Sequence, residues 1–178
     1  MHLHGTHCVV RGWRMSDAVA LVRHGNSLEV ARQLRDRFPH PYTKQDAQRF
    51  LTFAVGADEP TNFAIDVDGE AAGAIGYVRS ADVERFSAEI GYWLGEAHWG
   101  RGIATEAVQL VTTYVFDVAN LLRLFALPFA DNAASIRVLE KAGFVCEGIL
   151  RQSAVKYGVP RDQAMYARLN QRWRGVDG

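Results

Sequence analysis

Hydrophobic positions change their period several times along this chain, and each change is bracketed by residues that start or stop an element. Phe63 to Val67 and Glu70 to Val78 are apolar-rich runs on either side of Asp68-Gly69. Asp-Gly accommodates the positive φ values of a tight hairpin turn, so these runs predict two antiparallel strands. Ala88 to Leu94 predicts another strand. Beyond it Ala104, Ala107, Val108, Val111, Val115 and Val118 recur at helical spacing, one apolar face to lay against a sheet. Arg123 to Phe129 predicts a short buried strand closed by Asp131-Asn132, and Ala133 to Ala142 a helix stopped by Gly143. Strand signals return over Phe144 to Leu150 and Gln163 to Leu169, with the turn-rich Tyr157-Gly158-Val159-Pro160 between them.

The first part of the chain predicts helices. Ser16-Asp17 caps one reaching His24, and Asn26-Ser27 caps another running to Arg37, before the rigid loop Phe38-Pro39-His40-Pro41-Tyr42. Thr43 with Asp46 has the form of a capping box and opens a helix ending near Gly56, with Phe50, Leu51, Phe53 and Ala54 on its apolar side. No repeat, low-complexity tract or linker interrupts the series. The expected architecture is one mixed α/β domain spanning residues 1–178, with helices on the faces of a sheet.

Composition narrows the function more than the fold. With 178 residues, 48% of them hydrophobic, the chain can bury a real core. Twenty basic and twenty acidic residues give a net charge of +0, so no field favours nucleic acid or an anionic membrane as partner. No apolar run is long enough for a membrane span, and the first residues lack the apolar region of a signal peptide, so a soluble cytoplasmic protein is expected. Cys8 and Cys146 cannot build a disulfide framework. His2, His4, His7 and Cys8 carry metal-ligand chemistry, but no second cluster matches them, so an edge strand or frayed end is expected and no metal.

The informative chemistry lies in Glu96-Ala97-His98-Trp99-Gly100-Arg101-Gly102-Ile103-Ala104-Thr105, a glycine-punctuated turn between a strand and a helix. The first N–H groups of a helix have no intrahelical partner and carry the positive end of its dipole, so the turn predicts a phosphate cradle. Gly100 and Gly102 allow close approach, and Arg101 adds a charged donor. A P-loop would need Gly-Lys followed by Ser or Thr, whereas this chain has Gly100-Arg101-Gly102. A dinucleotide fingerprint would need a third glycine or alanine where Thr105 stands.

Four landmarks then follow one another: Glu89-Ile90-Gly91-Tyr92-Trp93-Leu94, Trp99 to Ala107, Asp131-Asn132-Ala133-Ala134-Ser135, and Glu140-Lys141-Ala142-Gly143-Phe144. In this order they resemble the Gcn5-related N-acetyltransferases, in particular the branch of bacterial ribosomal-protein N-terminal acetyltransferases. Arg11-x-Trp13, Phe38-Pro39-x-Pro41-Tyr42-Thr43 and Asp66-x-Asp68-Gly69-Glu70 resemble the same branch. The resemblance implies an acyl-CoA N-acyltransferase fold: a central, mostly antiparallel twisted sheet with a splayed parallel strand pair and helices on both faces. It also implies transfer of acetyl from acetyl-CoA to a primary amine by direct attack, with no metal. The pyrophosphate would lie on N–H groups from Trp99, Gly100, Arg101, Gly102, Ile103, Ala104 and Thr105. The pantetheine arm would run beside Tyr92, Trp93 and Leu94 to Asn132 and Ser135, with a bulge near Tyr92 aiming an N–H at the thioester oxygen.

Glu89 is the candidate general base, because an ammonium has no lone pair and must lose a proton first; the alternative is a carboxylate held in a surface ion pair. The tyrosine that supplies a proton in the wider family is replaced by Leu139, so Ser135 is the candidate acid, or a helix-start hydroxyl. Phe38, Pro39, His40 and Tyr42, together with the Arg151 to Arg161 link, are the expected acceptor walls. The acceptor is a peptide N-terminus or a small amine, and the protein a monomer or homodimer. Leu139 keeps open a second reading, a non-catalytic acetyl-CoA-binding sensor or interaction module.

Overall fold

Residues 1–175 are described by a computed structural model whose central element is one eight-stranded sheet, ordered β1-β2-β3-β4-β5-β6-β8-β7. The strands are β1 (His2–His4), β2 (Val9–Arg11), β3 (Asn62–Val67), β4 (Glu70–Arg79), β5 (Ser87–Leu94), β6 (Arg123–Ala126), β7 (Val145–Lys156) and β8 (Val159–Leu169). The helices are α1 (Ala18–Gly25), α2 (Leu28–Ala31), α3 (Lys44–Val55), α4 (Ile103–Asp117) and α5 (Ala133–Lys141). Every strand pair is antiparallel except β5 with β6. This is the mixed α/β arrangement with a parallel pair that the resemblance implied. No helix among the described residues is long and apolar enough to cross a membrane.

Two apolar clusters lie on the two faces of the sheet. On one, Ile90 and Leu94 of β5 meet Ile103, Val108, Val111 and Val115 of α4, and Leu139 of α5. On the other, Leu21 of α1 and Leu51 of α3 close over Ala64 and Ala71, with Trp13 and Tyr42 filling the space between them. The β3–β4 hairpin turns at Asp68 (φ 53°) and Gly69 (φ 89°), as the Asp-Gly pair predicts. Thr43 and Asp46 form the expected capping box on α3.

The differences from expectation have local causes. The helix expected to reach Arg37 stops at Ala31, because the chain tightens into turns in which Gln33 N–H donates to Val30 and Leu34 N–H to Ala31, each at 3.1 Å. Asp17 does not cap α1; its carboxylate accepts from Arg11 instead. Val118 lies at the exposed end of α4 rather than on its buried face. The chain from Arg151 to Arg161 is not a loop. It belongs to a long β7–β8 hairpin turning at Tyr157 (φ 52°) and Gly158 (φ 77°). The first nine residues of β7 are all exposed, so burial imposes no alternation on them, and beyond Leu150 the sequence gives no strand signal until Gln163.

Two buried or half-buried charge clusters fasten the N-terminal strands. Arg11, 2% exposed, donates through Nε to Asp66 at 2.6 Å and through both terminal nitrogens to Asp17 at 2.8 and 2.9 Å. Asp66 in turn accepts from Gly69 N–H at 2.8 Å, which links β2, the hairpin turn and the entry to α1. On the α4 side, the Glu106 carboxylate accepts from Thr6, His7 and Cys8 N–H at 2.6, 2.8 and 3.0 Å. Burial alone would raise its pKa, but these donors together hold it below the usual carboxylate value. Burial, then the bond to Glu106, pushes the Cys8 thiol up to about 12.

Removing Arg11 strands two carboxylates out of water. Arg11→Met is expected to lower unfolding free energy by about 3–5 kcal/mol, read from denaturant midpoints. A loss under about 1 kcal/mol would show that the cluster is dispensable.

Candidate functional site

β5 pairs with β4 from Ala88 opposite Arg79 to Leu94 opposite Gly73 with no shift of register. Its pairing with β6 stops at Glu89 opposite Phe125. β6 and the residues after it stay with β8 instead. Pro128 carbonyl accepts from Ala164 N–H, Ala130 N–H donates to Asp162 carbonyl, both at 2.9 Å, and Phe129 bridges Gln163. A gap therefore opens between two parallel strands. Gly95 N–H donates to Ala72 at 2.9 Å on the β4 side, and alternation along the strand then points the N–H and C=O of Tyr92 into the gap. Trp93 turns its backbone the other way, toward β4. The bulge expected near Tyr92 is not there. The departure of β6 exposes that backbone without disturbing the register of β5.

At the end of β5 a short turn (Glu96–His98) leads into the glycine loop, which Trp99 pins by an indole N–H bond to Leu94 carbonyl at 2.7 Å. Gly100 and Gly102 have φ of 75° and 79°, and a Cβ built at either meets nothing within 4 Å. The first bond of α4 runs from Glu106 N–H to Gly102 carbonyl at 3.0 Å. The N–H groups of Gly100, Arg101, Gly102, Ile103, Ala104 and Thr105 have no protein partner among the described residues. Trp99 N–H, by contrast, is already bonded to Glu96 at 3.1 Å, so the free row starts one residue later than expected. Open space, unpaired donors and a helix dipole fit a pyrophosphate. Arg101 is exposed beside them, 3.4 Å from His98 Nδ1. Burial, followed by the neighbouring His24 and Arg101, lowers the His98 pKa.

Glu89 and Ser135 stand on opposite faces of β5. Glu89 shares its face with Trp93, on the side of α1 and α3, and its carboxylate is ion-paired with Arg35 from the loop after α2. Tyr92 lies on the α5 side, where its hydroxyl is 2.8 Å from Ser135 Oγ and donates to Ser135 carbonyl at 3.1 Å. Burial raises the Tyr92 pKa, and the Ser135 bond opposes it only in part. Asn132 caps α5 by accepting from Ser135 N–H at 3.0 Å, which leaves its amide N–H groups without a partner among the described residues. Leu139 is fully buried in the core and has no proton to give. The sequence singled out Tyr92 for its backbone alone. The pattern Ala88, Ile90, Tyr92 already placed its ring on the face that receives α5.

The expected acceptor walls come together in part. Phe38, Pro39 and His40 face Val155, Lys156 and Tyr157 across a cavity of about 440 Å³. Tyr42 is not in that cavity; it is 5% exposed, stacked on Phe38 at 4.9 Å, and touches a second hollow of about 380 Å³ beside α3. Phe38 also meets Trp93 edge-on at 5.4 Å, so the larger cavity adjoins the Glu89 face of β5. The His40–Pro41 peptide in this wall is cis.

Residues 7–145 match the acetyltransferase (GNAT) domain family. The chain is 31% identical over 172 residues to an uncharacterized N-acetyltransferase, p20, of Bacillus licheniformis, covering 93% of this chain and 94% of that protein. It is 34% identical over 107 residues to the ribosomal-protein-serine acetyltransferase of Escherichia coli, 60% of this chain and 59% of that one. Two further curated relatives are matched over about half their length, 55% and 46%. Ribosomal-protein-S5-alanine acetyltransferase from Vibrio fischeri shares the fold with a TM-score of 0.83 at 24% identity, over 98% of this chain and 100% of that chain. On the family match over residues 7–145 and the full-length relative, this chain belongs to the GNAT acetyltransferases.

Proposed function

We propose that this protein transfers an acetyl group from acetyl-CoA to a primary amine, with a protein or peptide N-terminal α-amine as its main acceptor class. The observation that carries the proposal is the gap between β5 and β6, which ends beside a row of unpaired N–H groups at the start of α4. Gly100 to Thr105 would hold the pyrophosphate, and Tyr92 and Asn132 the arm. Acetyl-CoA supplies an activated thioester, so the protein needs to position the amine and move two protons. Glu89 takes one from the incoming ammonium, directly or through a water, once Arg35 yields part of its hold. Ser135 Oγ, held by the Tyr92 hydroxyl, gives one to the departing sulfur and is reprotonated from water as CoA leaves. A thiol pKa near 8.5 makes this second transfer the less demanding. The N-terminal acceptor draws support from the similarity to the ribosomal-protein-serine acetyltransferase, and from chemistry: an α-amine with pKa near 8 needs less help than a lysine at about 10.4.

The deciding measurement is thiol release from acetyl-CoA in the presence of a panel of peptides and small amines. Tight CoA binding without acceptor-dependent release would overturn the enzyme reading in favour of a binding module. Gly102→Glu places a carboxylate in the cradle with no steric clash, so CoA affinity should fall at least about 100-fold, and well below that of Gly102→Ala, which carries the same positive-φ strain without the charge; unchanged affinity would remove the loop from the cofactor site. Glu89→Gln should slow turnover by about 100-fold at pH 7, with the deficit shrinking as pH rises through the amine pKa, and a wild-type rate would exclude Glu89 as base. Ser135→Ala should slow turnover by about tenfold with unchanged KM for the acceptor; full activity would relieve Ser135 of its role as acid.

A further inference from the structure

Within β7, whose first nine residues are exposed, the one fully buried residue is a lysine. The Lys156 side chain is 4% exposed, and its Nζ has a single hydrogen-bond partner among the described residues, Asp36 Oδ1 at 2.8 Å. Asp36 itself is 73% exposed. Tyr157 presents its ring face 4.6 Å from the same ammonium. An ammonium has three donors, and desolvating one is unfavourable unless its partners compensate. One carboxylate reaching in from solvent compensates poorly. Where packing alone is required, an apolar chain of similar length would serve better.

The position of Lys156 gives that charge a use. It lines the cavity shared with Phe38 and His40, and Phe38 rests on Trp93 beside the Glu89 face of β5. Arg35, adjacent to Asp36 in the chain, pairs with Glu89 itself. The same loop therefore touches the candidate base with one residue and the buried ammonium with the next. Resting on the acetyl-transfer reading above, we propose that Lys156 selects the acceptor by binding an anionic oxygen carried close to the reacting amine. Asp36 holds the ammonium in the absence of acceptor and swings toward solvent, or shares it, when a carboxylate arrives. The acceptors are then amines with a neighbouring carboxylate, an acidic peptide N-terminus or a free dicarboxylic amino acid. Polyamines are disfavoured, because their second cation would meet Lys156.

The test compares kcat/KM for four acceptors: a tetrapeptide amide with glutamates at its second and third positions, the same peptide with lysines there, free glutamate, and spermidine. The wild-type protein should favour the acidic peptide over the lysine peptide by about tenfold or more and leave spermidine near background. Activity on free glutamate equal to that on the acidic peptide would assign the small molecule, and much lower activity the peptide. Lys156→Glu should invert the peptide preference, and Lys156→Met should abolish it with the cofactor KM unchanged. Asp36→Asn, which retains the cation and removes its competitor, should sharpen the preference; it and Lys156→Met decide the matter should Lys156→Glu fail to fold. Equal use of both peptides by the wild type, or an equal loss on all acceptors in the Lys156 variants, would overturn the assignment and make the pair a tether of loop to hairpin. Thiol release with no acceptor at all would instead defeat the transfer reading, and the assignment with it.

Discussion

A strand can follow only one of two neighbours when they part, and this constraint organises the molecule. β5 follows β4 to Leu94, whereas β6 follows β8, so their mutual ladder ends at Glu89 and Phe125. The candidate site lies where that ladder stops: a backbone edge at Tyr92, the base candidate on one face, the hydroxyl pair on the other, and the glycine loop at the far end. Pro128, which has no N–H to offer, stands just beyond β6 and still accepts from Ala164 on the β8 side. The gap is thus a product of two well-bonded ladders and stores no defect in either.

Charged groups do much of the positioning in the N-terminal half. Arg11 joins β2 to β3 and to the start of α1, and thereby sets where the helical layer meets the sheet. The loop after α2 carries no regular structure across Arg35, Asp36 and Arg37, yet Arg35 is tied to β5 and Asp36 to β7. That segment spans the two halves of the sheet without packing a core of its own. Its geometry is fixed by ion pairs and by the stacking of Phe38 on Tyr42.

Most of the fold was legible wherever burial wrote a period into the sequence. The Asp-Gly hairpin, the capping box of α3, the apolar face of α4 and the Gly143 stop of α5 are local signals with local causes. The β7–β8 hairpin was half legible, because a strand exposed on both faces leaves no alternation to read. Of the site, the glycine loop was visible as a residue pattern and Asn132 through the family resemblance, though not as the cap of α5. The ion pair of Glu89 with Arg35 and the contact of Tyr92 with Ser135 were not, since each joins elements that come together only in the folded sheet. The same holds for Lys156, whose burial depends on a loop 120 residues away.

Glu106 leaves the N–H groups at the start of α4 open to a guest from outside. An acid in the first turn of a helix is the natural internal competitor for the positive end of the dipole, and Glu106 is the acid in the first turn of α4. Its carboxylate is instead gripped from behind by the N–H groups of Thr6, His7 and Cys8, and Gly5 is so close that a Cβ there would lie 2.3 Å from its oxygen. The N-terminal turn acts as a decoy. By offering the protein's own anion a better set of donors, it keeps that anion off the free N–H groups at the start of α4.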